Sequence, residues 1–195
     1  LNNVISVDIN SNHSCIIKDN KVSCWGGDLP GRPDKHYYKD YLVEIDYTQN
    51  ASKLSISSGH GCIIKLNKPF CWGNGYHGKL GIGELSFSDL ISPSPLEVKT
   101  DYLFEDIELN DSYTCGISKR KLFCWGLNSF GQLGMGSLNE NLTFFKPTEI
   151  KLLDNVTHLS SYHSHICAIN NHRVYCWGLM YNKYDFSLNE TITAP

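Results

Sequence analysis

The most reactive groups in this chain are eight thiols, and their spacing is regular. Cys15 and Cys24, Cys62 and Cys71, Cys115 and Cys124, and Cys167 and Cys176 each enclose eight residues, and every second cysteine is followed by Trp-Gly. An even number of identically spaced cysteines predicts disulfides, here within each pair. Zinc knuckles place their thiolates about two to four residues apart, so this wider gap speaks against metal, and no metal site is expected.

Histidines are the next candidates. His13, His60 and His165 lie two residues before the first cysteine of their pairs, with Tyr113 at the matching place in the remaining one. Four equivalent positions could line a ligand or metal ring, but hydrogen bonding between neighbouring units is the simpler use and makes these residues structural. No Gly-x-Ser-x-Gly elbow, His-Glu-x-x-His helix or phosphate-binding loop occurs. Adjacent carboxylates such as Glu105 and Asp106 point to opposite faces of a strand and make a poor acid/base couple. Neither catalytic residues nor a cofactor are expected, and the chain does not read as an enzyme.

Asparagine supplies a modification chemistry instead. Asn12, Asn50, Asn110, Asn141, Asn155 and Asn189 each begin an Asn-x-Ser/Thr sequon. With the paired cysteines they predict an N-glycosylated protein of the secretory pathway, extracellular or at the cell surface.

Positioning these groups needs strands. If residues 14–17 and 22–25 are antiparallel around "KDNK", Cys15 and Cys24 sit opposite each other at about 4.5 to 5.5 Å between Cα atoms, within disulfide reach. Each pair begins about 50 residues after the last, a period that belongs to propellers or solenoids. Between the pairs, "VISVDI", "KLSIS", "EDIEL" and "VTHLSS" alternate apolar with polar residues, and no segment carries a helical apolar period. The expected fold is all-β, four repeats at approximately 1–46, 47–98, 99–150 and 151–195 within a single domain 1–195. Trp25, Trp72, Trp125 and Trp177 would point away from the disulfides and pack between repeats, and the glycine after each would turn the backbone.

Composition agrees. The 195 residues, 41% of them hydrophobic, suffice for one sizeable core. A net charge of −3 supplies no basic field for nucleic acid, and no apolar run is long enough for a membrane helix. Leu1 opens the chain without a signal-peptide pattern, which suggests a mature product or a fragment.

The stretches "HGCIIKLNKPFCWGNGYHGKLGIG" and "YTCGISKRKLFCWGLNSFGQLGMG" make the repeat specific. They resemble the repeat of the regulator of chromosome condensation family, with its His, a strand pair ending in Trp-Gly, and Asn-x-x-x-Gly-Gln-Leu-Gly. The third repeat has Asn128, Gly131, Gln132, Leu133 and Gly134 in place; the second keeps Gly78, Leu80 and Gly81 with Lys79 at the Gln position. The first and fourth depart after Trp-Gly. The resemblance covers nearly the whole chain and implies β-propeller blades of four strands, usually seven to a ring. Four repeats could form a closed four-blade ring, an open arc or part of a longer propeller, and arc or fragment is the expectation.

The functional expectation is an extracellular protein-protein interaction or structural module: an ectodomain, an adhesion module or a subunit of a surface assembly. Its partners would be other proteins, including further chains, with N-linked glycans on the loops. Tyr37, Tyr38, Tyr41 and Tyr47, set among mixed charges, are the candidate contact residues. A second aromatic stretch holds Met180, Tyr181, Tyr184 and Phe186. The alternatives are a secreted enzyme inhibitor acting through propeller loops and a carbohydrate-binding propeller.

Overall fold

The computed structural model of the chain describes residues 2–31, 39–83, 90–135, 143–162, 165–179 and 191–192. Strands dominate, in four antiparallel sheets of four. Blade 1 holds β1 (Val4–Ile9), β2 (His13–Lys18), β3 (Lys21–Gly26) and β4 (Lys39–Glu44). Blade 2 holds β5 (Ala51–Ile56), β6 (His60–Lys65), β7 (Lys68–Asn74) and β8 (Ile91–Glu97). Blade 3 holds β9 (Asp106–Leu109), β10 (Tyr113–Ser118), β11 (Lys121–Leu127) and β12 (Thr143–Asp154). Blade 4 holds β13 (Val156–Tyr162), β14 (His165–Asn170), β15 (Arg173–Leu179) and β16 (Thr191–Ile192). The fold is an all-β propeller arrangement of four blades.

Each central hairpin has the register its cysteines require. Cys15 faces Cys24, Cys62 faces Cys71, Cys115 faces Cys124 and Cys167 faces Cys176. All four pairs are disulfide-bonded with Cα atoms 4.1 Å apart. The hairpins close through Asp19-Asn20, Leu66-Asn67, Lys119-Arg120 and Asn171-His172, where both residues have positive φ. That is the two-residue turn whose twist matches the flanking strands. Gly26 after the first Trp has φ +105, and a Cβ there would come 2.5 Å from the Asn12 carbonyl, so glycine is required.

Strand alternation gives each blade two different faces. One carries the disulfide and the other carries the Trp. Three clusters of buried side chains lie between successive blades, and in each the Trp of one blade packs with the disulfide face before it: Trp72 with Cys15 and Cys24, Trp125 with Cys62 and Cys71, Trp177 with Cys115 and Cys124. A leucine from the loop after each Trp-Gly completes the seat, Leu80 and Leu133 eight residues past their Trp and Leu29 only four past Trp25. The first repeat thus reaches the same packing through a shorter loop.

Packing proceeds from blade 1 to 2, 2 to 3 and 3 to 4, and among the described residues no extensive packing of blade 4 on blade 1 is present. The described blades therefore form an arc with a leading face on blade 1 and a trailing face on blade 4. Trp72, Trp125 and Trp177 are fully buried, whereas Trp25 on the leading face is half-buried. Three disulfides are fully buried, whereas Cys167 and Cys176 on the trailing face are half-buried.

Candidate interaction surfaces

Of the four positions two residues before each first cysteine, His60 and Tyr113 reach the next blade with their side chains, while the rings of His13 and His165 meet residues of their own blade. His60 is fully buried, its Nδ1 2.7 Å from Ser57 Oγ and its Nε2 2.9 Å from Thr114 Oγ1 of blade 3. Burial, and then the charge of Lys79, hold its imidazole well below the usual histidine range. Tyr113 donates its hydroxyl to the His165 carbonyl of blade 4 at 2.9 Å. His13 is buried beside Asn10, and desolvation lowers it to about 4. His165 is half-buried, and its ring lies edge-on to Tyr162. Among the described residues no three His, Cys, Asp or Glu side chains are grouped to hold a metal ion.

Lys79, at the family's Gln position, is the hub of the blade 2–3 junction. It is 5% exposed and donates from Nζ to the Asp111 carbonyl at 2.7 Å. Its own carbonyl accepts from Thr114 Oγ1 and from the Trp125 indole N–H, both at 2.9 Å. Burial, partly offset by Asp111, lowers its ammonium to about 8. In blade 3 the matching Gln132 accepts from the Phe130 N–H at 2.8 Å, while Asn128 accepts from the Leu133 N–H at 2.9 Å.

A second contact recurs at every junction. Asp8, Ser55, Glu108 and Ser160 each stand seven residues before the first cysteine of their repeat. Asp8 Oδ2 accepts from the Ile56 N–H at 2.7 Å, Ser55 Oγ from the Leu109 N–H at 3.1 Å, and Glu108 Oε1 from the Ser161 N–H at 3.1 Å. Each inner strand thereby caps a backbone donor of the next. Burial raises the Asp8 carboxyl and drives Glu108 up to about 7, with Asp8 and Asp106 adding repulsion to the latter. In blade 4 the matching Ser160 is exposed. These residues were not singled out from the sequence, although aligning the repeats on their cysteines places all four in one column.

The ends of the inner strands also surround an open cavity of about 300 Å³, to which all four blades contribute, among them Asn10, Ser57, Asn110 and Ser161. Of the candidate contact tyrosines, Tyr41 is 59% and Tyr47 69% exposed, while Tyr37 and Tyr38 lie outside the described residues. The aromatic stretch from Met180 to Phe186 also lies outside them. Among the sequons, Asn12 and Asn50 are exposed and Asn155 is half-buried, its amide donating to Asn171. Asn110 is only 6% exposed, and its Oδ1 accepts from the Asp111 N–H at 2.7 Å. Asn141 and Asn189 lie outside the described residues.

Known proteins share this architecture. Residues 121–169 match the regulator of chromosome condensation (RCC1) repeat. The ultraviolet-B receptor UVR8 of Arabidopsis thaliana is 31% identical over 106 residues, covering 52% of this chain and 23% of the receptor. Human WBSCR16 superposes with a TM-score of 0.80 at 17% identity, over 98% of this chain and 51% of that one. Prp20p of Saccharomyces cerevisiae, described with its binding to Gsp1p and histones, superposes with a TM-score of 0.76 at 21% identity, over 91% of this chain and 44% of that one. The chain thus spans about a quarter of the curated relative and about half of each of these two solved structures.

Proposed function

We propose that this chain, built of RCC1-like repeats, is an extracellular protein-interaction or structural module, stapled by disulfides and glycosylated on its exposed sequons. The observation that carries this reading is the placement of the cysteines. All eight are paired, none is free, and six form the buried seats on which the next blade's Trp packs. A thiol pool that kept them reduced would remove cross-links on which the inter-blade packing rests, and an oxidising compartment suits such a design. Asn12 and Asn50, exposed in a bend and a turn between strands, are the sequons that best suit a glycan on this reading.

Protein partners fit better than small substrates. The module acts by contact and not by catalysis, and this reading is supported by exposed apolar side chains on the inner strand of blade 1, where Ile5, Val7 and Ile9 are 60 to 68% exposed. Mass spectrometry of the native protein, with and without reduction and glycosidase, tests the reading. A shift for four disulfides together with glycan loss is expected; eight free thiols and no glycan would send the module back inside the cell.

A further inference from the structure

The open cavity at the ends of the inner strands holds polar groups that the fold does not use. Its middle is built by blades 2 and 3, through Ser57 and Ser58 before β6 and Asn110 and Asp111 before β10. Each of these two blades packs on a neighbour at both sides, so this part of the wall does not depend on how the arc ends.

In blades 1 and 2 the polar side chain five residues before the first cysteine is matched by the histidine two residues before it. Asn10 Nδ2 lies 3.0 Å from His13 Nε2, and Ser57 Oγ lies 2.7 Å from His60 Nδ1. Blade 3 has Tyr113 in place of that histidine, and its hydroxyl reaches across to the His165 carbonyl at 2.9 Å. Asn110 therefore has no imidazole to meet. It is 6% exposed, its Oδ1 accepts from the Asp111 N–H, and its Nδ2 donates to no acceptor among the described residues. A buried amide nitrogen calls for an acceptor, and the cavity that Asn110 lines is where one can enter.

The next residue supplies the complement. Asp111 is exposed, and its Oδ1 takes the Ser58 N–H at 3.2 Å and the Ser58 hydroxyl at 2.6 Å. Its Oδ2 accepts from no donor among the described residues, so consecutive residues offer the cavity an amide donor and a carboxylate acceptor. Lys79 Nζ, held on the Asp111 carbonyl at 2.7 Å, sets a positive charge beside this carboxylate. The two charges offset each other, which disfavours both an anion and a cation as ligand. On the blade 4 side Tyr162, 66% exposed, adds an aromatic wall. At about 300 Å³ the space stands at the lower end of ligand sites, which run from about 300 to 1,000 Å³.

We propose that this cavity binds a neutral sugar unit, with Asn110 Nδ2 donating to one hydroxyl, Asp111 Oδ2 accepting from its neighbour, and the apolar face of the ring lying on Tyr162. Adjacent hydroxyls present an acceptor and a donor side by side, and the C–H face of the same ring suits an aromatic side chain. A sugar at the end of a partner's glycan presents the same hydroxyls as a free one. The inference thus extends the reading of the chain as a contact module and does not rest on its compartment.

Titration of the intact chain with methyl glycosides of the neutral hexoses, followed by amide NMR, tests it. Saturable shifts centred on residues 57–58, 110–111 and 162, with a Kd of about 1 mM or tighter for at least one glycoside, are expected. Asp111→Asn alters an exposed residue and keeps Oδ1 for Ser58, so the variant folds with an unchanged circular-dichroism spectrum while binding weakens at least about tenfold. Asn110→Asp keeps Oδ1 for the Asp111 N–H but loses the donor, and should weaken binding likewise. Glucuronate should bind at least about tenfold more weakly than methyl glucoside, because Asp111 repels it. Neutral oligosaccharides on a carrier protein, if held more tightly than the methyl glycosides, mark a glycan as the source; equal binding marks a free sugar, and either supports the site. Absence of saturable shifts with every glycoside overturns the proposal, as does an Asp111→Asn variant that binds as well as the parent. Native Asn110 found carrying a glycan of its own also overturns it, because the amide nitrogen is then substituted. Eight free thiols would sink the extracellular reading and leave this site standing.

Discussion

The junctions between blades 2 and 3 and between blades 3 and 4 use the same positions of the repeat with different chemistry. In the first, the Trp125 indole donates to the Lys79 carbonyl, His60 bridges Ser57 and Thr114, and Ser55 caps the Leu109 N–H. In the second, Glu108 replaces the capping serine, and the Trp177 indole N–H and the amide nitrogens of Asn128 and Gln132 are buried without a hydrogen-bond partner among the described residues. The apolar frame of disulfide, leucine and Trp is common to both. Apolar packing therefore fixes the blade geometry, and polar residues set how strongly and at what pH each pair of blades holds.

The largest difference should appear on removing the indoles. Trp125 is fully buried, packs edge-on to Phe104 and donates a hydrogen bond, so Trp125→Ala should cost about 3 to 5 kcal/mol in denaturant unfolding. Trp177→Ala removes equal packing but no bond to a described acceptor, and should fall short of it by about 1 kcal/mol. Equal losses would mean that the Lys79 hub adds nothing.

Disulfide removal comes next. Cys115→Ser with Cys124→Ser should destabilise by about 2 to 4 kcal/mol, because the closed loop alone is worth about 2.5 kcal/mol and a buried seat for Trp177 is disturbed as well. The Cys167–Cys176 bridge closes a loop of the same length on a half-buried face, so its removal should cost the loop term alone. Identical losses would deny the packing contribution.

Titration separates the junctions by sign. The folded-state pKa of Glu108 lies above its unfolded value, at about 7, so the blade 3–4 junction gains stability as pH falls from about 7 towards 4.5 and carries the cost of a buried carboxylate above that. His60 is depressed, so the blade 2–3 junction loses stability as pH falls below 6.5. Lys79 at the same junction is depressed to about 8 and adds stability only as pH rises from 8 towards 10.5. Glu108→Gln should therefore stabilise by about 1 to 3 kcal/mol at pH 8 and by much less at pH 4.5. Hydrogen exchange resolved by blade, compared at pH 5 and pH 8 after correction for intrinsic rates, should show blade 4 tightening in acid while blade 2 loosens; parallel changes would refute the assignment.

The frame of this molecule was legible because it is written in covalent and steric terms. A Cys pair with eight residues between its members admits one hairpin register, and the glycine after Trp25, Trp72 and Trp125 sits where a Cβ would strike the backbone, so four repeats announced four blades. Side chains whose partner is on another blade were less legible. Lys79 stood out only as a departure from Gln, and nothing local to "GKLGIG" reveals that its carbonyl collects Thr114 and Trp125 from the next blade. Glu108 sat in an alternating strand like any solvated acid, yet its alternation points at blade 4 and not at water. The burial of Asn110 was not legible either, because a sequon carries no information about burial. The half-burial of Trp25, against the full burial of the other three, is likewise encoded by no residue of its own repeat.

The smallest effect isolates that last point. Ser55 and Ser160 are the same residue at the same place in their repeats, one with a following blade and one without. Ser55→Ala leaves the buried Leu109 N–H without its acceptor and should cost about 1 kcal/mol. Ser160→Ala should cost nothing, because an exposed hydroxyl exchanges one water partner for another. A loss at Ser160 equal to the loss at Ser55 would place a partner for its hydroxyl within the chain and remove the distinction between the two serines.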